Sequence, residues 1–348
     1  MFEGVFCPSI TITDDDGKID YELWGRHLDH LADAGIDGVL LFGSIGEFYS
    51  VSLGDKKEVV DFAVERVAGR MKVFVGVGDT TYDNVLDLTR HAQKAGADAV
   101  LAVSPYYFGP TDDAAEKYFG GIADATDLPV VLYNFPARTG TDLSPELVAR
   151  LAAAHPNICG IKDTVDTISH TRKVIRAVRQ VNPEFSVLSG FDEYYLVNRA
   201  SGGNGVLCGL TNVEPELFVR MHGAYQAGDF ATAIECAERI SSLMAVYDAC
   251  DLFVSAIKVA VNLKGLPVST KIFEPAVQAT PEQVEKVREL LALASRHICF
   301  WWGRVASGGS PLTLRRRLGM RPRTFFSAGT WSDVLKCCSI KRGLAHAG

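Results

Sequence analysis

The chain has 348 residues, 47% hydrophobic and 22% charged, with a formal net charge of −7. That balance describes a globular protein able to bury a sizeable core, and its sign argues against nucleic acid as the main partner. No run of 18 apolar residues offers a membrane span, and "MFEGVFCPSI" lacks the basic start and apolar stretch of a signal peptide. The eight cysteines show no zinc-ligand spacing, so free thiols in a reducing cytoplasm are expected.

From the start to about residue 210, short β-branched runs alternate with stretches of helical period. The runs are "VFCPSITI", "GVLLF", "KVFVGV", "DAVLAV", "PVVLY", "ICGIK", "FSVLS" and "NGVLC". Between them the spacing predicts helices over Tyr21–Ala34, Leu53–Ala68, Tyr82–Ala95, Ala114–Ala125, Pro145–Ala154 and Ser169–Val181, with a shorter one near Phe191–Ala200. Ser52 and the pair Ser144-Pro145 signal helix starts, and Gly35 and Gly96 signal stops. Eight strands alternating with helices predict parallel βαβ units, and the eight-fold count favours a closed (β/α)8 TIM barrel of the α/β class, over residues 1–212.

After Glu214 the strand signals stop. Helices near Pro215–Ala227, Ala231–Asp248, Leu252–Leu263 and Pro281–Leu293 predict a C-terminal helical extension over 213–296, packed on the barrel. From about 297 the sequence changes kind. From Trp301 onward it holds nine Lys and Arg against one acid, and it contains three of the four tryptophans. Residues 297–348 are therefore expected to be an atypical basic tail, disordered or non-native in origin.

Barrel enzymes place their chemistry at the C-terminal ends of the strands. Here those ends read "GSIGE", "SPYY", "YNFPARTG", "KDT", "SGFDE" and "CGLTN", a cluster of small, polar and aromatic residues. "GSIGEF", Gly43–Phe48, is either a tight turn or an anion cradle of successive backbone N–H groups. It lacks the lysine and spacing of a phosphate loop, so a carboxylate is the better occupant. Tyr133, Tyr106 and Tyr107 read as a lining or as a proton relay. Lys162 closes an apolar strand and either snorkels to the mouth or offers an amine. The adjacent Asp163 points to the opposite face, which makes it a poor partner. A lysine in a poorly hydrated pocket gives up its proton more readily, leaving an amine for Schiff-base chemistry with a ketone. No two of the eight histidines share a strand end, so no metal site is expected.

These motifs, in this order and spacing, resemble the dihydrodipicolinate synthase and N-acetylneuraminate lyase family of lysine-dependent aldolases, over about Phe2 to Arg296. The resemblance implies no cofactor and a homotetramer built from tight dimers. It implies Lys162 as the Schiff-base lysine, Tyr133 as general acid and base, Ser44 as relay hydroxyl, and Tyr107 as the tyrosine lent to a neighbouring subunit. The backbone of Ser44, Ile45 and Gly46 would hold the substrate carboxylate, and Leu207 would lie beside bound pyruvate. Gly190, Asp192 and Glu193 in "SGFDE" resemble the sugar-acid lyases, whose acidic pair receives substrate hydroxyls, whereas Arg138 resembles the synthases. The expected activity is cleavage or formation of a C–C bond between pyruvate and an aldehyde, on a 2-keto-3-deoxy sugar acid. The alternatives are 4-hydroxy-tetrahydrodipicolinate synthase, a family dehydratase, and, from another class, a catalytically idle binding module.

Overall fold

The computed structural model describes residues 1–305, with the side chains up to residue 294. Met1–Ile298 form one compact unit. The basic-tail expectation, from residue 306 on, lies outside the described residues. The helix that begins at Pro281 extends to Val305, past the change in composition.

Eight parallel strands close into a barrel in sequence order: β1 (Gly4–Pro8), β2 (Gly38–Leu41), β3 (Lys72–Gly76), β4 (Ala99–Val103), β5 (Val130–Asn134), β6 (Ile158–Asp163), β7 (Ser186–Ser189) and β8 (Gly205–Leu207). The helices that return the chain are Tyr21–Asp33, Leu53–Val67, Tyr82–Ala95, Asp112–Asp124, Pro145–Ala154, Ile168–Val178 and Tyr195–Ala200. Their starts are capped as the sequence implies: Ser52 accepts from the Asp55 N–H and Ser144 from the Leu147 N–H. The predicted helix near Phe191–Ala200 divides, because Asp192–Tyr194 form a tighter 3-10 turn before it.

Alternation along each strand makes two apolar layers. One side packs against the helices around Trp24, Phe119 and Phe185. The other fills the barrel with Phe6, Leu40, Phe74, Leu101, Val131, Tyr133, Leu188 and Leu207. At its N-terminal end the interior is plugged by aromatic rings, Phe2 on Phe74 at 4.6 Å and Phe6 on Phe74 at 5.1 Å between centroids. The two fully buried rings, Phe6 and Phe74, contribute roughly 1.5–3 kcal/mol each. The interior is therefore solid at one end, and any cavity must open at the strands' C-terminal ends.

The extension follows with Pro215–Gln226, Phe230–Leu243, Phe253–Leu263 and Pro281–Val305. The helix expected to reach Asp248 ends at Leu243 and tightens into a 3-10 turn over Met244–Asp248. That tightening places part of the extension beside the barrel mouth. No single helix among the described residues is long and apolar enough to cross a membrane.

Candidate active site

A cavity of about 930 Å³ opens at the C-terminal ends of the strands. Ser44, Ile45, Tyr133, Arg138, Lys162, Gly190, Asp192 and Glu193 line it. Gly46 and Leu207 do not. Gly46 lies behind the turn, its carbonyl accepting from the Thr11 hydroxyl at 2.6 Å, and Leu207 is part of the filled interior, level with Phe6. Tyr107 stands apart, 82% exposed beside Phe108 at 83%.

Lys162 and Tyr133 lie directly across from each other in the β5–β6 register, both turned into the barrel. Lys162 is only 5% exposed, and its Nζ lies 4.3 Å from the centre of the Tyr133 ring. No acceptor among the described residues takes a hydrogen bond from that ammonium. The Tyr133 hydroxyl in turn lies 3.2 Å from Ser44 Oγ, so a lysine, a phenol and a hydroxyl follow one another along the cavity wall.

The other face of β6 is built differently. Asp163 Oδ1 accepts from Asn134 at 3.0 Å, and Oδ2 meets His170 Nδ1 at 3.0 Å and the Thr171 hydroxyl at 2.6 Å. Asn134 also donates to Asp142, whose carboxylate sits 3.3 Å from His170 Nε2. Burial works against charge on His170, but Asp142 and Asp163 outweigh it and push its pKa up to about 10. Because Asn134 and Asp163 follow Tyr133 and Lys162 in the same register, this network locks the two strands together where they present Tyr133 and Lys162 to the cavity.

The turn after β2 carries strain. Phe42 (φ 56°) and Glu47 (φ 49°) flank Gly43–Gly46 in the left-handed region, at roughly 1–3 kcal/mol each. Gly76 is required opposite, since a Cβ there would lie 2.2 Å from the Phe42 carbonyl oxygen. The backbone N–H groups of Ser44, Ile45 and Gly46 donate to no acceptor among the described residues. Two of those residues, Ser44 and Ile45, lie on the cavity wall, where successive unpaired N–H groups can receive an anion.

The acidic pair divides into unlike members. Asp192 is buried and committed: Oδ1 accepts from the Leu210 N–H and Oδ2 from the Tyr247 hydroxyl, both at 2.8 Å. Burial pushes its pKa up to about 6. Glu193, whose pKa burial also raises, keeps a buried Oε2 with no hydrogen-bond partner. Gly190 is fixed by its neighbour, because a Cβ there would lie 1.9 Å from the Thr164 hydroxyl. Arg138 lies over the rings of Phe253 (5.4 Å) and Phe135 (5.9 Å).

Sequence reading missed the wall supplied by the extension: Met244, Tyr247, Asp248, Asp251 and Phe253. It also passed over Thr164, whose buried hydroxyl has no partner, and Asp166, which accepts from Tyr194 at 2.6 Å. The "KDT" motif contained the first of these signals.

Residues 1–294 match the dihydrodipicolinate synthetase family. The chain belongs to that family. It is 38% identical over 290 residues to the probable 2-dehydro-3-deoxy-D-pentonate aldolase YjhH of Escherichia coli (strain K12), covering 83% of this chain and 96% of that one. It is 38% identical over 298 residues to a 4-hydroxy-tetrahydrodipicolinate synthase of Methanosphaerula palustris, covering 84% and 99%. Among solved structures it is similar to YagE of E. coli K12, a prophage protein of the same family crystallised with pyruvate. There the TM-score is 0.83 at 36% identity, over 85% of this chain and 99% of that one. As a family member the protein is an enzyme, a lyase of the class I aldolase type.

Proposed function

We propose that the protein cleaves a 2-keto-3-deoxy sugar acid to pyruvate and an aldehyde, or joins them, through a Schiff base on Lys162. The observation that carries this reading is the Lys162 ammonium, nearly buried at the cavity wall without an acceptor and 4.3 Å from the Tyr133 ring. The amine adds to the C2 carbonyl, and the Tyr133 phenol gives its proton to the departing hydroxyl, so that water leaves and a protonated imine remains beside a phenolate. As the C3–C4 bond breaks, its electron pair moves into that imine, forming an enamine, while the C4 hydroxyl gives its proton to the Tyr133 oxygen. The aldehyde leaves. The enamine takes up a proton at C3, and water hydrolyses the imine to pyruvate and free lysine. Tyr133, 3.2 Å from Ser44, is placed to carry these protons within hydrogen-bond reach. The N–H groups of Ser44 and Ile45 hold the substrate carboxylate.

The substrate class rests on charge. Two cations, Lys162 and Arg138, line the cavity against five acids: Asp166, Asp192, Glu193, Asp248 and Asp251. Such a wall suits the hydroxyls of a neutral sugar-derived aldehyde better than a second carboxylate, and YjhH carries a sugar-acid name. Arg138 favours the second reading, a synthase that condenses pyruvate with aspartate semialdehyde. Tyr107 and Phe108, almost fully exposed, support a homo-oligomer in which a second copy covers them and Tyr107 joins its relay.

Borohydride reduction in the presence of pyruvate should add one three-carbon unit to Lys162, read by peptide mass. Equal labelling of Lys162→Ala would end the lysine reading. Turnover of aspartate semialdehyde with pyruvate, without cleavage of 2-keto-3-deoxygluconate or the matching pentonate, would replace the first substrate reading with the second.

A further inference from the structure

The anion cradle contains an anion of its own. Glu47 closes "GSIGE", one residue beyond Gly46, and its side chain is buried. A bare carboxylate there would oppose any carboxylate that the Ser44 and Ile45 N–H groups attract, and the low dielectric of a buried site would strengthen the opposition. The structure supplies the counter-charge from outside the barrel. Lys258, on the helix Phe253–Leu263, reaches Glu47 Oε1 at 2.6 Å in a contact that is an ion pair without straight hydrogen-bond geometry. Glu47 Oε2 accepts from the Phe273 N–H at 2.9 Å, and Lys258 Nζ donates to the Lys271 carbonyl at 2.8 Å. Lys258 is 1% exposed and does not line the cavity, so its amine is not available to substrate.

We infer that Glu47 and Lys258 are a positioning pair for the substrate carboxylate: together they fix the strained Ser44–Glu47 backbone and cancel the charge that would repel the ligand. This rests on the reading of that turn as the carboxylate cradle. The strain itself requires such a clamp. Left-handed residues persist only where their surroundings determine them, and at Glu47 those surroundings come from residues 258 and 273, more than 200 positions along the chain. Through Lys258 the post-barrel helix thus positions the cradle, although the Lys258 amine never touches substrate.

The test measures borohydride trapping on Lys162 with two ketones, pyruvate and acetone, which lacks the carboxylate. Lys258→Met should raise the half-saturating pyruvate concentration by about tenfold or more, the effect of one uncancelled charge beside the cradle. Acetone trapping should stay within about twofold. In Glu47→Gln/Lys258→Met, which removes both charges, pyruvate binding should recover most of that loss. Glu47→Gln alone should weaken pyruvate severalfold and leave acetone unchanged. Full pyruvate selectivity in every variant would overturn the inference alone, as would a double variant no better than Lys258→Met, or parallel losses with both ketones. If Lys258→Met does not fold by circular dichroism, Glu47→Gln and the double variant decide by the same comparison. Absence of trapping in the unaltered protein would overturn the lysine reading and this inference with it.

Discussion

Lys162 and Lys258 are both withdrawn from solvent, at 5% and 1% exposure, yet the chain treats them oppositely. Lys258, outside the barrel, has a carboxylate at 2.6 Å and a carbonyl at 2.8 Å. Lys162, inside, has an aromatic face and the cavity. A buried ammonium without an acceptor is expensive, and a fold selected for stability alone would pair it. Burial therefore does not separate the proposed Schiff-base lysine from a paired one; the missing partner does. The two faces of β6 repeat the contrast within a single strand. Asp163 is held by Asn134, His170 and Thr171, while its neighbour Lys162 is left open to the cavity.

The sharpest way to break this comparison is to remove each lysine in turn. Lys162→Ala should abolish turnover and pyruvate labelling while shifting stability by less than about 1 kcal/mol, since no partner is stranded. Lys258→Met should keep labelling of Lys162 at saturating pyruvate and act chiefly on stability, costing about 3–5 kcal/mol because Glu47 is left buried and uncompensated. Chemical denaturation of both variants checks the pair of expectations. Equal destabilisation by the two would show that partnering does not separate them. Next in size, Tyr133→Phe keeps the buried ring and loses only the hydroxyl shared with Ser44. Its kcat should fall by roughly 10²–10⁴ with the melting temperature little changed. An unchanged kcat would remove Tyr133 from the proton path.

How far the sequence could see follows from the same contrast. Strand ends and alternation put Lys162 and Tyr133 into the barrel and Asp163 outside, because a period of two needs no knowledge of distant residues. The same reasoning could not treat "SAIKVAVNL" alike, although it too sets a lysine in an apolar run. The partner of Lys258 lies 211 residues earlier, and helical period does not say which strand end a helix covers. The wall formed by Met244–Phe253 was invisible for a related reason. The helix through Leu243 keeps its apolar spacing beyond that residue, and only packing against the mouth tightens it into a 3-10 turn. Asp192 and Glu193 looked like one pair because the residue that claims Asp192, Tyr247, is 55 positions away.

The outer face of β6 gives a pH-dependent test. His170 has a folded-state pKa of about 10 against 6.5 for the free side chain. Its charge therefore contributes fully below about pH 6.5 and is lost as pH rises toward 10. In thermal melts the advantage of the natural protein over His170→Gln should amount to a few kcal/mol near neutrality and shrink steadily at alkaline pH. Labelling of Lys162 at neutral pH should survive in the variant, because the network acts on the strand's back face. A constant advantage across that range would mean that His170 is not charged in the folded protein.

The smallest effect carries the partner rule to a finer scale, between adjacent acids. Asp192 is spoken for by the Leu210 N–H and the Tyr247 hydroxyl, so Asp192→Ala strands two buried donors and should act first on stability. Glu193 lines the cavity and its buried Oε2 has no hydrogen-bond partner, so Glu193→Gln strands nothing and should fold normally. Its cost should appear only when a substrate hydroxyl is present to use that oxygen. The expected change is a rise of roughly tenfold in KM for the sugar acid, the worth of one charge-assisted hydrogen bond, with pyruvate labelling unaffected. An equal loss with pyruvate alone would place Glu193 at the pyruvate end of the cavity. The acid-lined wall would then no longer explain a preference for a hydroxylated aldehyde, and Arg138 would be left as the stronger guide to substrate.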